Sequence, residues 1–387
     1  LIRQRSVITN KTGSNLSRGI VSAFISQANL LGSIKKYDYA IFELDEAEFS
    51  RSLHTIKPQL IVFTNLFRDQ LDRYGEVNST KIKWLNTLNS WTDPITIIFN
   101  SADPQINHLV ANYIKTNKQV TAIGYFAQTE SPGNIQDNLL NPIQQSHCPE
   151  CNTILTFSRR TIIGQGNFQC AQCGFRNIPH VITSKTSENG FRYDYQQKSL
   201  IIQNIKPDTI MSHNITAAIS ASSVLENSTK DWEIILKNTK ATFGRCERIK
   251  INSCSLIIAL VKNPTGYTET LKSIFQSKNY YTAAFFLNDN FADGLDVSWI
   301  WDVYFEDYLP DKLQKIYIGG NRKYDMALRL QYSIKNHLKI IILKDTSHFI
   351  DEVQNCSDEI PVFATYTAML DLQSVLTKKG FKKAYWR

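Results

Sequence analysis

Residues 60–65 (LIVFTN) and 95–100 (ITIIFN) are apolar at nearly every position until a closing Asn. A strand with one wet face alternates; one that does not must be covered on both faces, as in parallel sheets flanked by helices. Such runs recur at 39–44 and 120–125, and again at 256–261 (LIIALV), 281–289 (YTAAFFLND), 315–320 (KIYIGG), 339–345 (KIIILKD) and 361–366 (PVFATY). Amphipathic stretches separate them. Apolar residues at three and four spacing predict helices over 15–25, 82–91, 211–225 and 230–237, and Pro104 opens another just after a strand. A strand pair is expected near 191–202. The alternation predicts an α/β protein with mostly parallel sheets.

The 387 residues are enough for two or three domains, and 42% hydrophobic content is enough for their cores. With 16 Gly and 11 Pro there is no long flexible linker. No run approaches the roughly 20 apolar residues of a membrane helix. The expected division is 1–240 and 241–387, with a small insert at 146–178 where the α/β pattern breaks.

That insert holds four of the seven cysteines, as Cys148-x2-Cys151 and Cys170-x2-Cys173. Tetrahedral zinc needs four thiolates at one point; each CxxC turn offers two from one side, and the residues between suit the hairpin of a zinc ribbon. With every ligand a Cys, no coordination position is left for catalysis, so structural zinc is expected. Arg159 and Arg160 lie on this hairpin, where zinc ribbons often meet nucleic acid. Cys246, Cys254 and Cys356 are read as buried fillers. The balance of 43 Lys and Arg against 35 Asp and Glu, a charge of +8, favours anionic partners without choosing among phosphates, nucleic acid and a membrane surface.

Residues 64–76 (TNLFRDQLDRYGE) place Asn65, Asp69, Gln70 and Asp72 just after a buried strand, where open α/β sheets bind ligands. Oxygen donors there suit Mg2+ and phosphate, although Asp69 and Asp72 also suit a helix N-terminus. A second acidic set, 42–46 (FELDE), closes what is expected to be a neighbouring strand.

Taken in order, 8–25 (ITNKTGSNLSRGIVSAFI), 42–49 (FELDEAEF), 62–76, 99–104 (FNSADP), the four-cysteine insert, 243–249 (FGRCERI), 260–271 (LVKNPTGYTETL) and 287–302 (LNDNFADGLDVSWIWD) resemble the MurT family. These are the Mur-ligase-like subunits of lipid II isoglutaminyl synthase, which work with the glutaminase GatD. The resemblance implies a Mur-ligase central ATPase domain, carrying the zinc ribbon, and a C-terminal Rossmann-like domain that contacts the glutaminase. It implies ATP-dependent amidation of the α-carboxyl of D-glutamate in the lipid II stem peptide, through an acyl phosphate, by a cytoplasmic enzyme at the inner membrane face. By motif match Glu43 is a Mg2+ ligand. Asn65 and Asp69 line the same edge, with Asn100 and Asp103 nearby; Asn214 reads adenine and Arg245 reaches phosphate. Asp296 matches the residue that completes the glutaminase's Cys–His pair from across the interface, with Asp289 and Asp293 as rivals, and Lys262 and Asn263 stand where other Mur ligases carry a substrate-facing loop. The positive charge then belongs to ATP and a lipid pyrophosphate, and no nucleic acid is expected.

Some positions differ from Mur ligases in general or from the family's usual motifs, Gln70 being one that points to this branch and away from the amino-acid-adding enzymes. Gln70 stands where Mur ligases generally have His, Ala217 where a second Asn is usual, and His213 where an aromatic residue is usual, although an imidazole can still stack on adenine. The motif GxxxxGK[ST] is absent and the match begins downstream of the family's phosphate loop, so that loop is expected upstream of Leu1. Two other readings are an amino-acid-adding ligase of the folylpolyglutamate synthetase type, and an inactive scaffold binding a glutaminase or nucleic acid.

Overall fold

The computed structural model describes residues 5–10, 15–66, 77–128, 146–160, 164–187, 190–196, 198–203, 207, 209–226, 232–237, 246–278, 280–333 and 338–382. The chain divides into two compact units between Asn238 and Thr239.

In the first unit, β1 (Val7–Thr9) and β2 (Tyr39–Ile41) form a small parallel sheet on either side of α1 (Ser17–Ile25). The main sheet takes β3 (Leu60–Phe63), β4 (Ile95–Asn100) and β5 (Val120–Gln128) in parallel. The insert then contributes the antiparallel hairpin β6 (Thr156–Arg160) and β7 (Gly166–Gln169). β8 (His180–Ser187) rejoins β5 in parallel, and β9 (Gly190–Tyr195) and β10 (Lys198–Gln203) turn back antiparallel, giving the order β10-β9-β8-β5-β4-β3. The strand pair expected near 191–202 is thus part of a three-strand meander.

β4 explains its own composition. Ile97 and Phe99 face a cluster with Phe49, Phe63, Trp84 and Tyr113. Ile98 faces the opposite cluster, with Tyr125, Ile182, Phe191 and Trp232. Both faces are dry, so alternation would have left a polar group unpaired. The helices are α2 (Glu46–Ile56), α3 (Val77–Asn89), α4 (Pro104–Thr116), α5 (Thr209–Glu226) and α6 (Trp232–Lys237). Asp103 caps α4, with Pro104 in its first turn.

Two expectations change here. The strand read over 39–44 stops at Ile41, and its hydrogen-bonded neighbour is β1, not β3. Its acidic tail starts α2 instead: Asp45 accepts the Ala47 N–H as the cap, and buried Glu48 accepts the Ser17 and Ser52 hydroxyls. Part of what read as a ligand set is helix-starting chemistry.

The second unit opens with β11 (Glu247–Ile251), earlier than the expected 256, which turns through Asn252 at φ 51° into antiparallel β12 (Cys254–Leu260). Then follow α7 (Pro264–Ser277), β13 (Thr282–Phe286), a 3-10 turn at Ser298–Asp302, the short α8 (Phe305–Tyr308), β14 (Lys315–Gly319), α9 (Lys323–Ser333), β15 (Lys339–Ile342), α10 (Thr346–Val353), β16 (Glu359–Ala364) and α11 (Tyr366–Lys378). The sheet order is β11-β12-β16-β13-β14-β15, parallel from β12 on. Alternate residues of β13 enter opposite cores: Ala283 and Phe285 pack with α7 and α9, Ala284 and Phe286 with α10 and α11. No helix among the described residues is long and apolar enough to cross a membrane.

Candidate functional site

The four cysteines of the insert converge, with their sulfurs all within 4.8 Å of one another. Two matching turns bring them there. The Cys148 amide donates to Thr153 O (2.7 Å) and the Cys170 amide to Phe175 O (2.7 Å). The fourth residue after each first cysteine sits at positive φ, Asn152 at 62° and Gly174 at 75°, so each turn folds back over its own sulfurs. Cys148–Cys173 and Cys151–Cys170 are 3.5 Å apart. Zinc–sulfur bonds of about 2.3 Å at tetrahedral angles put sulfurs about 3.8 Å apart, so the set could hold zinc. Four thiols this close cannot all ionise without a cation. The Thr153 hydroxyl and amide pull Cys151 down to about 6, while against the Phe175 amide, burial and neighbouring sulfurs push Cys173 up to about 12. Leu155, Phe168, Phe157 and Phe175 form the module's own small core.

The hairpin is fastened to the carboxyl end of β4. Gly166 N donates to Ala102 O (2.9 Å), and Asn177 donates to Ser101 O and Gly166 O. This carries Gln165, which is 1% exposed, to two of the expected site residues. Its carbonyl accepts from Asn100 Nδ2 (3.1 Å) and its amide reaches Asp103 Oδ2 (3.4 Å). Asp103 also accepts the amides of Gln105, Ile106 and Leu66, and so ties the loop after β3 to the loop after β4. Burial pushes its carboxyl above the usual range, against those hydrogen bonds. Lys81, also buried, donates to Gln105 Oε1 (2.9 Å); burial pulls its pKa down while the Glu150 and Asp103 carboxylates oppose that pull.

Asn100 sits 3.4 Å from His213 Nδ1 on α5. His213 is 5% exposed, its Nε2 has no hydrogen-bond partner among the described residues, and burial holds its pKa down at about 4. The imidazole that stands where the family usually has an aromatic residue is thus packed inward, against the end of β4. Asn214 beside it is half-buried, Ala217 is buried, and Asn65 is half-buried one residue before the tethered Leu66. Glu43 is exposed at the end of β2, where Asn10 pairs with its backbone N–H (3.0 Å) and carbonyl (2.8 Å). Asp69, Gln70, Asp72 and Arg245 lie outside the described residues, as do the side chains of Arg159 and Arg160.

In the second unit the three rival aspartates separate. Asp289 is paired with Arg322 (2.8 Å) and Asn321 (2.7 Å). Asp293 is buried on Thr367. Asp296 is exposed, and accepts the Ser298 N–H (2.8 Å) and hydroxyl (3.0 Å) at the start of the 3-10 turn. Phe291 and Leu295 on the same loop are 82% and 64% exposed. Asn263 caps α7 through Gly266 N (2.7 Å), and Lys262 is exposed next to it.

Comparison with known proteins turns this geometry into a lineage. The MurT ligase C-terminal family matches residues 260–369, the span that contains the aspartate loop. The chain is 28% identical to the lipid II isoglutaminyl synthase (glutamine-hydrolyzing) subunit MurT of Streptococcus pneumoniae, over 96% of this chain and 81% of that one. It is 30% identical to the subunit of the same name from Staphylococcus aureus, over 88% of this chain and 74% of that one. The chain belongs to the MurT family. Two solved structures share the fold of this MurT chain: a pseudomurein peptide ligase type C from Methanothermus fervidus (TM-score 0.69, 15% identity, 98% of this chain and 74% of that one) and MurF from Acinetobacter baumannii (0.64, 14%, 99% and 72%). The expected Mur-ligase-like α/β fold is therefore the observed one, and MurT membership makes the chain a ligase subunit.

Among the residues of these clusters that sequence reasoning missed are Gln165 and Thr367. Gln165 sits between two glycines with no motif around it, and Thr367 follows a strand 74 positions after the Asp293 that it holds. Neither contact leaves a local signal.

Proposed function

We propose that this chain is the synthetase subunit of an ATP-dependent amidotransferase of peptidoglycan assembly. It converts the D-glutamate α-carboxyl of the lipid II stem peptide to D-isoglutamine with ammonia from a GatD-type glutaminase. The observation that carries the reading is the similarity, over 96% and 88% of the chain, to two proteins named as MurT subunits of glutamine-hydrolyzing lipid II isoglutaminyl synthase.

A carboxylate resists amines because its leaving group would be an oxide. In the proposed route its oxygen attacks the ATP γ-phosphorus, ADP leaves, ammonia adds to the acyl phosphate carbon, and phosphate departs as the nitrogen sheds a proton. Mg2+ would neutralise charge on the transferring phosphoryl group. Glu43, exposed beyond β2, is the carboxylate proposed for such an ion, with Asn65 and Asn100 beyond β3 and β4 and, by motif match, Asp69 as further polar groups of the site. Asp103 has both oxygens engaged by hydrogen bonds, so its part is to hold the Asn65 and Asn100 loops together. Asn214 would face adenine and Arg245 a phosphate.

Asp296 would orient the partner's catalytic histidine and stabilise its cation, so that glutamine is hydrolysed only in the complex. Zinc in the Cys148–Cys151–Cys170–Cys173 cage would keep the ribbon folded. A basic chain fits work at the cytoplasmic face of the membrane on a lipid pyrophosphate.

The test combines the native gene product with its glutaminase, ATP, Mg2+, glutamine and lipid II, and reads the stem peptide by mass spectrometry. Amidation is expected. Unmodified glutamate, under conditions where a characterised MurT–GatD pair works, sinks the proposal.

A further inference from the structure

In open α/β sheets ligands bind beyond the carboxyl ends of the strands, where neighbouring strands send their connections to opposite faces. In the second unit one such place lies between β13 and β16. After β13 the chain turns to one face, where Val297, Ile300, Val303 and Phe305 join the core with α7 and α9. After β16 it turns to the other, where Ala368, Met369, Leu372 and Leu376 of α11 are buried. The crevice so created is filled by the chain's own loop.

Thr367, in the first turn of α11, is the centre of that filling. Its amide donates to Asp293 Oδ1 (2.8 Å) and its hydroxyl to Asp293 Oδ2 (2.5 Å). The same hydroxyl accepts from Asn288 Nδ2 (2.9 Å) and Asn290 Nδ2 (2.7 Å). Upstream, the Thr365 hydroxyl accepts the Asn288 N–H (2.9 Å). A buried carboxylate held by a helix-start amide and a hydroxyl is a strong anchor. From it the chain passes through Gly294, buried at φ 88°, a conformation that a side chain would strain, and reaches Asp296 two residues later.

We propose that Thr367 is a positioning residue for Asp296. By holding Asp293 and Asn290 it fixes where the loop leaves the sheet, and hence where the Asp296 carboxylate stands relative to a partner's histidine. This rests on the reading of Asp296 given above. It also means that the crevice normally offered to a small ligand serves here as the mount for a residue presented outward.

The experiment uses the complete two-subunit complex and reads glutamine hydrolysis, subunit affinity, and lipid II amidation driven by added ammonium, which bypasses the glutaminase. Thr367→Val keeps the shape and the amide but removes the hydroxyl. An ångström of misplacement costs a catalytic group up to about a hundredfold, so the hydrolysis kcat should fall at least about tenfold. Subunit affinity, glutamine KM and ammonium-driven amidation should stay unchanged, and Thr367→Ser should restore hydrolysis. Wild-type hydrolysis in Thr367→Val overturns the proposal, as does a loss that Thr367→Ser fails to restore. If Thr367→Val does not assemble, Asn290→Ala, an exposed residue bonded to the same hydroxyl, replaces it; an unchanged rate there overturns the proposal equally. Asp296→Asn separates the two claims. Its loss of hydrolysis beside an active Thr367→Val removes only the positioning role, whereas its full activity removes the Asp296 reading itself.

Discussion

The imidazole of His213 stays neutral in the fold because burial holds its pKa near 4, whereas in the unfolded chain it titrates near about 6.5. Between those values the unfolded chain binds the extra proton, so stability falls as pH drops through this window, by up to about 3 kcal/mol in total. Burial moves His108 and His180 in the same direction. Urea unfolding at pH 7 and pH 5 should show the loss, and His213→Asn should lose less; an equal loss in the variant would remove His213 as its source. A second residue with a clear cost is Arg329, 3% exposed, which donates to Ile300 O, Val303 O and both oxygens of Glu306. Arg329→Met leaves those buried carbonyls unpaired and should destabilise the second unit by about 2–4 kcal/mol in urea titration. Asp289, Asp293 and Asp296 show where reading the sequence stops. Composition does not rank them and the motif match favours Asp296; partners on distant elements, Arg322 and Thr367, then separate the two anchored ones from the exposed one.

At the scale of elements, the convergence of the four cysteines was legible, because CxxC pairs encode it in local turns. The unaltered chain should bind one zinc ion and Cys151→Ser none, and the variant's melting temperature should fall; zinc assay and calorimetry check both. Gly174→Ala is milder. A Cβ there meets no atom within 4 Å, so only the left-handed backbone is strained, at about 1 kcal/mol. Helix α2 was not legible, since Asp45, Glu46 and Glu48 have the composition of a ligand cluster. The difference between capping a helix and binding an ion lies in whether the Ala47 N–H and the Ser17 hydroxyl are in reach. β11 was hidden by alternation: ERIKI carries charges on its wet side, as an antiparallel edge strand does.

For the whole molecule, the division near residue 238 makes a prediction about propagation. Gly166, Gln165 and Asn177 join the ribbon to the loop at 100–103, the Ile178 N–H donates to Asn107 and Glu150 meets His108, so removing zinc should speed amide hydrogen exchange in 146–178 and at residues 100–108. Unchanged exchange at 100–108 would show that the ribbon does not brace that loop. The sequence by itself determined the α/β fold, the four-cysteine cluster and the family, because continuous apolar runs, CxxC turns and ordered motifs are local properties that do not depend on distant partners. The tertiary structure alone decided the rest: that Gln165 of the ribbon enters the Asn100–Asp103 cluster, that His213 turns inward, and that Thr367 mounts the loop bearing Asp296. Hydrogen bonds between residues 65 to 113 positions apart are fixed by how sheets and helices pack, and leave no trace in the order of the residues.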